Sequence, residues 1–159
     1  MSATTAPAVK AKLLEMFTAV ADGETEVWYG RTNEEHQQNE NVYICGVQVL
    51  REWKLLGRPN PHQREENYIV EVDVEVFMPG VDGQLTEQRL WEIVEALDST
   101  LTADPSLNGA FIPFTVGETI GALENIQWVL LERIDQSSQA MADGWFATAK
   151  LEIAVKARI

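Results

Sequence analysis

Between Tyr68 and Met78 the chain alternates strictly: Val70, Val72, Val74 and Val76 are interleaved with Glu71, Asp73 and Glu75. Successive side chains of a strand point to opposite faces, so an extended segment puts all four valines on one side and all three carboxylates on the other. A helix would spread both kinds around its circumference and carry carboxylates into any core it joined. The segment therefore predicts a half-buried strand with an acidic outer face. The closing stretch repeats the pattern: Ala147, Ala149, Leu151, Ile153, Val155 and Ala157 share one parity, and Lys150, Glu152, Lys156 and Arg158 the other. A sheet with one apolar face needs something to cover that face.

Two helical patterns supply the cover. Val9, Leu13, Phe17 and Val20 recur at helical spacing with Lys10, Lys12 and Glu15 off the stripe. Thr4, Thr5 and Pro7 are start signals, and Gly23 is a stop. The second stripe is Leu90, Ile93, Val94, Leu97 and Leu101. Thr86 is expected as its N-cap, with Leu85 and Leu90 as a hydrophobic staple, Glu87 in the first turn and Ala103-Asp104-Pro105 as the stop. Pro79-Gly80-Val81-Asp82-Gly83 is turn chemistry between strand and helix. Further extended stretches are expected at Glu26 to Tyr29, Val42 to Leu56 with a break near Gly46, Ala110 to Val116, Ile126 to Ile134 and Trp145 to Ile159. Polar arms or loops are expected at 31–41, 57–67 and 135–143; the first holds no apolar residue at all. The expectation is a single α+β domain over residues 1–159. Its sheet is largely antiparallel or mixed, with two main helices packed on one face.

Charge excludes some partners. Twelve Lys and Arg against 25 Asp and Glu give 12 − 25 = −13. Such a surface repels nucleic-acid phosphates and anionic lipid headgroups. No run approaches the ~18 apolar residues that span a bilayer, and Met1 to Ala8 has neither the basic nor the apolar segment of a signal peptide. A soluble protein made in a cytoplasm, with no membrane partner, is expected. Cys45 is the sole cysteine, so no intrachain disulfide or thiolate cage can form; within Val42-Tyr43-Ile44-Cys45-Gly46-Val47 it reads as an inert thiol.

Catalytic strings are missing. Neither GxGxxG, GxxxxGK[ST] nor GxSxG occurs, and Gly117-Glu118-Thr119-Ile120-Gly121 reads as a turn. His36 and His62 form no HxxxH or HExxH pair. His62 with Glu65 or Glu66 is the constellation that a small metal-dependent hydrolase would use, although solvated loop residues are much the plainer account. Glu71, Asp73 and Glu75 share a face, as a carboxylate site requires; cross-strand pairing with Lys150, Lys156 or Arg158 is the plainer reading. No catalytic residue, metal or cofactor is expected. Trp28, Trp53, Trp91, Trp128 and Trp145 are many for this length, and Trp91 lies off the main stripe of its helix, where a core rim or an interface would both suit it.

The order of elements resembles the tail terminator (tail-completion) proteins of long-tailed bacteriophages. The resemblance rests on the first helix, Arg64-Glu65-Glu66-Asn67-Tyr68-Ile69-Val70-Glu71-Val72-Asp73-Val74, Pro79-Gly80 to Gly83, the helix from Thr86 to Leu101, Asp104-Pro105-Ser106-Leu107-Asn108-Gly109, and the closing strand Ala149 to Arg158. It extends from about Thr25 to the C-terminus, and the segments Arg31 to Asn41 and Gly117 to Asn125 have no match. It implies a non-enzymatic virion protein of the neck end of the tail, made in the host cytoplasm. Such a protein forms a ring, typically a hexamer, that caps the tail tube protein, stops its polymerisation and joins the head–tail connector protein. DNA would pass the channel without specific binding. On this reading Glu34, Arg51, Trp53, Arg58, His62 and Arg64 are candidates for subunit and tube contacts, and Glu71, Asp73 and Glu75 for the channel lining. A head-completion or neck connector protein is the alternative of the same class.

Overall fold

The computed structural model describes residues 5–31, 39–50, 65–80, 82–105, 107, 114–116, 119–121 and 126–158. The elements are α1 (Ala6–Val20), β1 (Thr25–Tyr29), β2 (Glu40–Leu50), β3 (Glu65–Pro79), α2 (Gly83–Ala103), β4 (Phe114–Val116), β5 (Thr119–Gly121), β6 (Ile126–Met141) and β7 (Gly144–Arg158). Five strands form one mixed sheet in the order β1-β2-β3-β7-β6, in which only β1 and β2 run parallel. β4 and β5 pair as a separate antiparallel hairpin. The architecture is α+β, as the alternating strands and two amphipathic helices predict.

The period-two pattern does what it must. β3 and β7 are in unbroken register with Val72 opposite Leu151, Val74 opposite Ala149 and Val76 opposite Ala147, so both apolar sets lie on one face. Both helices cover that face. Ala6, Val9, Leu13 and Phe17 of α1 and Leu90, Ile93, Val94, Leu97 and Leu101 of α2 join the valines of β3 and the apolar side chains of β7 in one buried cluster. The expected break near Gly46 is a bulge: β2 pairs Ile44 with Val72 and Val47 with Val70, which leaves one extra residue at Cys45-Gly46.

The expected polar stretches 31–41 and 57–67 end sooner than predicted, because ladder pairing carries β2 back to Glu40 and β3 back to Glu65; two further readings need correction. α2 starts earlier than expected: Asp82 is its N-cap, and its carboxylate accepts the Leu85 amide at 3.0 Å. Asp at the N-cap is at least as good as Thr. Thr86 instead lies fully buried inside the first turn and donates its hydroxyl to the Asp82 carbonyl at 2.9 Å. Leu85 is exposed and forms no staple at the expected place. The second correction concerns 135–143, which is not a loop. β6 runs on to Met141, and Ala142 and Asp143 alone make the turn into β7. Gly144 lets the start of β7 lie close against the end of β3: a Cβ there would lie 2.1 Å from the Met78 carbonyl oxygen and 2.9 Å from Pro79 Cα. At the other end of α2, Asp104 and Pro105 stop the helix as expected, and Val129 donates its amide to the Pro105 carbonyl at 2.6 Å. Leu107 then takes a left-handed φ of 52° while its side chain is buried.

Candidate functional site

Both helices lie on one face of the sheet, and the other face, which no described helix covers, carries the acidic alternation. Reading across the strands, Asn41 neighbours Glu75, then Thr148, then Ser137. The next row is Tyr43, Asp73, Lys150 and Asp135, and the following one Glu71, Glu152 and Arg133. The three candidate channel-lining carboxylates thus share one face, brought there by strand parity. They are not equivalent. Arg31, just past the end of β1, reaches back across the sheet to Asp73 at 3.3 Å and to Glu75 at 2.5 Å. Its guanidinium also lies 5.0 Å from the centre of the Tyr43 ring. The hydrogen bond to Glu75, more than any other contact, holds Arg31 more firmly protonated than usual. Among the described residues Glu71 has no such partner within ion-pair distance, and it faces a like charge, Glu152, across the ladder, with Arg133 on the far side.

Arg31 is the residue that parity reasoning missed. Lys150 does lie opposite Asp73 in the ladder, but Lys156 lies opposite Asn67 and Arg158 opposite Glu65, so two of the three expected cross-strand cations are placed away from the carboxylates. The usable signal was position: Arg31 opens the apolar-free run directly after a strand.

Around this clamp the chemistry is that of a quiet surface. Burial, then the charge of Asp73, pushes the Cys45 thiol up to about 11, which suppresses the nucleophilic thiolate. Burial and the Glu75 charge likewise raise the Tyr43 phenol. The Tyr43 hydroxyl and one Glu26 carboxylate oxygen are buried without a hydrogen-bond partner. Among the described residues no group of three His, Cys, Asp or Glu is placed to hold a metal. Also among them, no helix is long and apolar enough to cross a membrane.

Of the hydrolase constellation, His62 and the side chain of Glu65 lie outside the described residues. Glu66 is buried on the helix face, where its carboxylate accepts the Thr5 amide at 3.2 Å and the Thr5 hydroxyl at 3.4 Å. That carboxylate anchors the start of α1, where the helix dipole favours an anion. The interface candidates Glu34, Arg51, Trp53, Arg58, His62 and Arg64 also lie outside the described residues.

A second arginine clamp sits at the opposite side of the fold. Arg89 of α2 grips Glu40 at the start of β2 with two bonds, Nε to Oε1 at 2.7 Å and Nη2 to Oε2 at 2.8 Å. It also meets Asp22 at 2.5 Å and Glu92 at 3.3 Å. Thr25 adds a hydroxyl donor to Glu40 at 2.8 Å. The arrangement fastens helix, strand and the α1–β1 connection together, and its fork geometry is specific to arginine. The Arg89 hydrogen bond is the largest influence holding the Asp22 carboxyl below the usual range.

Trp91 resolves as an exposed side chain, as does Trp128, whereas Trp28 is half-buried and donates its indole N–H to Asn41 at 3.1 Å.

No family model matches the chain, and no curated protein matches it. Among solved structures, a chain of the virion of a native gene transfer agent (GTA) particle has a similar fold, with a TM-score of 0.55 over 99% of this chain and 100% of that chain. The two are 11% identical in sequence, so what they share is the fold, from end to end.

Proposed function

We propose that this chain is a structural virion protein, a tail terminator. A single α+β domain assembles into a ring of identical copies that caps the tail tube, stops its polymerisation and offers the surface for head–tail joining. The observation that carries the reading is the end-to-end likeness in fold to a chain of a gene transfer agent virion. The order of elements, which resembles that of tail terminators, supports this position within the virion. A ring subunit works by contact, so an uncovered sheet face and long free strand edges are the features such a role uses. The acidic face carrying Glu71, Asp73 and Glu75 would line the channel, where like charge lets DNA slide without sticking.

The test is the solution mass of the purified protein by light scattering over a concentration series, with and without tail tubes. A ring-sized species, alone or on adding tubes, supports the reading. Protein that stays monomeric and leaves tube length unchanged removes it. Binding to isolated connectors but not to tubes would assign the chain to the head side of the neck instead.

A further inference from the structure

We infer that copies of this chain join edge to edge, the free edge of β6 pairing antiparallel with the free edge of β1 in the next copy. This rests on the ring reading above and names the contact that would build the ring.

β6 and β1 end the strand order, and among the described residues no further strand pairs with either; on the outer side of β6 the Val129 amide is taken by the Pro105 carbonyl. Its first half is blunted by two bulges, at Ile126/Trp128 and Leu131/Arg133. From Arg133 to Met141 its pairing with β7 is regular, which leaves a straight row of backbone donors and acceptors pointing outward. Long regular edges of this kind invite another strand unless charge or proline guards them. Here the only charges are Arg133 and Asp135, which neutralise each other at 3.0 Å, and residues 136–141 carry none.

Apolar exposure concentrates at the same edge. Trp128, Leu130, Ile134 and Met141 are exposed on β6 itself. Trp91 lies one turn beyond Glu87 on the α2 face that reaches Ser138 of β6. At the opposite edge, exposed Tyr29 on β1 has the same parity as Ile134: each is aligned with the helix-covered face, Tyr29 beside Ile44 and Ile134 beside Leu151.

Ring closure favours this pairing over β6 with β6: a contact between two identical edges is two-fold and stops at a dimer, whereas two different edges repeat from copy to copy. Lys10, 4.4 Å over the Tyr29 ring, stands beside the β1 edge.

Direction follows from topology. β1, β2 and β7 run one way and β3 and β6 the other. A rotation about an axis along the strands preserves direction, so β6 meets the next β1 antiparallel. The contact uses two different surfaces, as a head-to-tail ring requires. The continued sheet would hold its helices on one side and the acidic face on the other.

The test is disulfide trapping in a Cys45→Ser background. Tyr29→Cys is mixed one to one with Ile134→Cys, Gln136→Cys or Ser138→Cys, each checked for native circular dichroism. Mild oxidation follows under conditions where light scattering shows the ring. A mixed disulfide dimer is expected for at least one β6 position, with none from any variant alone. Self-disulfides of the β6 variants without mixed ones overturn the proposal. So does an assembled ring that yields no mixed disulfide, which leaves the terminator reading standing. If no ring forms even on tail tubes, both fall.

Discussion

Replacing Arg89 with alanine tests the reading that one guanidinium fastens α2 to β2. Glu40 is 8% exposed, and among the described residues Arg89 supplies two of the three hydrogen bonds to its carboxylate, leaving the Thr25 hydroxyl. Stranding a buried charge by removing its partner costs about 3–5 kcal/mol. The Arg89 side chain is 23% exposed and Thr25 remains, so water can reach the site and the expectation falls to about 2–3 kcal/mol. At roughly 2–4 °C per kcal/mol for a chain of this size, Tm should fall by about 4–12 °C. Urea unfolding followed by circular dichroism gives the free energy, and an unchanged urea slope shows that the unfolded state is unaffected. Glu40→Gln removes the charge and keeps an acceptor. The double variant should therefore be less destabilised than the sum of the singles by at least about 1 kcal/mol. Arg89→Lys should recover little, because an ammonium lacks the fork. A loss below about 0.5 kcal/mol for Arg89→Ala, or singles that add, refutes the argument.

Other perturbations follow from equally local geometry. Gly144→Ala should destabilise by about 2 kcal/mol or more, read as a fall in Tm, because its Cβ meets backbone rather than a side chain that can move. Leu107→Ala should cost about 2–4 kcal/mol for the lost burial, yet Leu107→Gly should be no worse, since glycine relieves about 1 kcal/mol of left-handed strain at φ 52°; urea titration of the pair reads the order. Cys45 should react with a disulfide reagent at pH 8 at least about 100-fold more slowly than an ordinary protein thiol, and Asp73→Asn should speed it, because the Asp73 charge helps raise the thiol. Asp22, held below the usual carboxyl range by Arg89, contributes stability that is present above about pH 4 and lost as pH falls through its lowered value. Asp22→Asn should accordingly flatten the acid side of a Tm–pH profile.

What was legible in the sequence is what depends on parity and period. The valines of β3 and the small apolar set of β7 pair in register because both alternate, and the two helical stripes cover them. The tail of β6 was not legible. Gln136, Ser138 and Ala140 share the parity of the covered face but lie where α2 meets them with Glu87, whose carboxylate takes the Ser138 hydroxyl. A polar contact in place of an apolar one erases the alternation, and the strand persists because its backbone pairs with β7. The start of α2 failed for a related reason. Asp82 and Thr86 are both good caps one turn apart, and only the three-dimensional bond to the Leu85 amide decides between them.

The open face was half legible, and the missing half changes its electrostatics. Parity puts Glu71, Asp73 and Glu75 together; it cannot see Arg31, 42 and 44 residues away from the carboxylates it binds. Counting the described charges of that face, Glu26, Glu71, Asp73, Glu75, Asp135 and Glu152 stand against Arg31, Arg133, Lys150 and Lys156, giving 4 − 6 = −2. One copy therefore presents a weak field, screened within about 8–10 Å at ordinary salt. In the proposed ring, with this face inward, each copy would add its −2 to the same enclosed space, and low-dielectric walls would focus the field inward. On that proposal the acidic face would gain its effect from assembly: a monomer would repel a DNA duplex feebly, and a closed ring strongly. Substituting Arg31 by glutamine would raise the charge per copy to −3, and would free Asp73 and Glu75 to repel each other, strengthening the field at the expense of the strand that carries it.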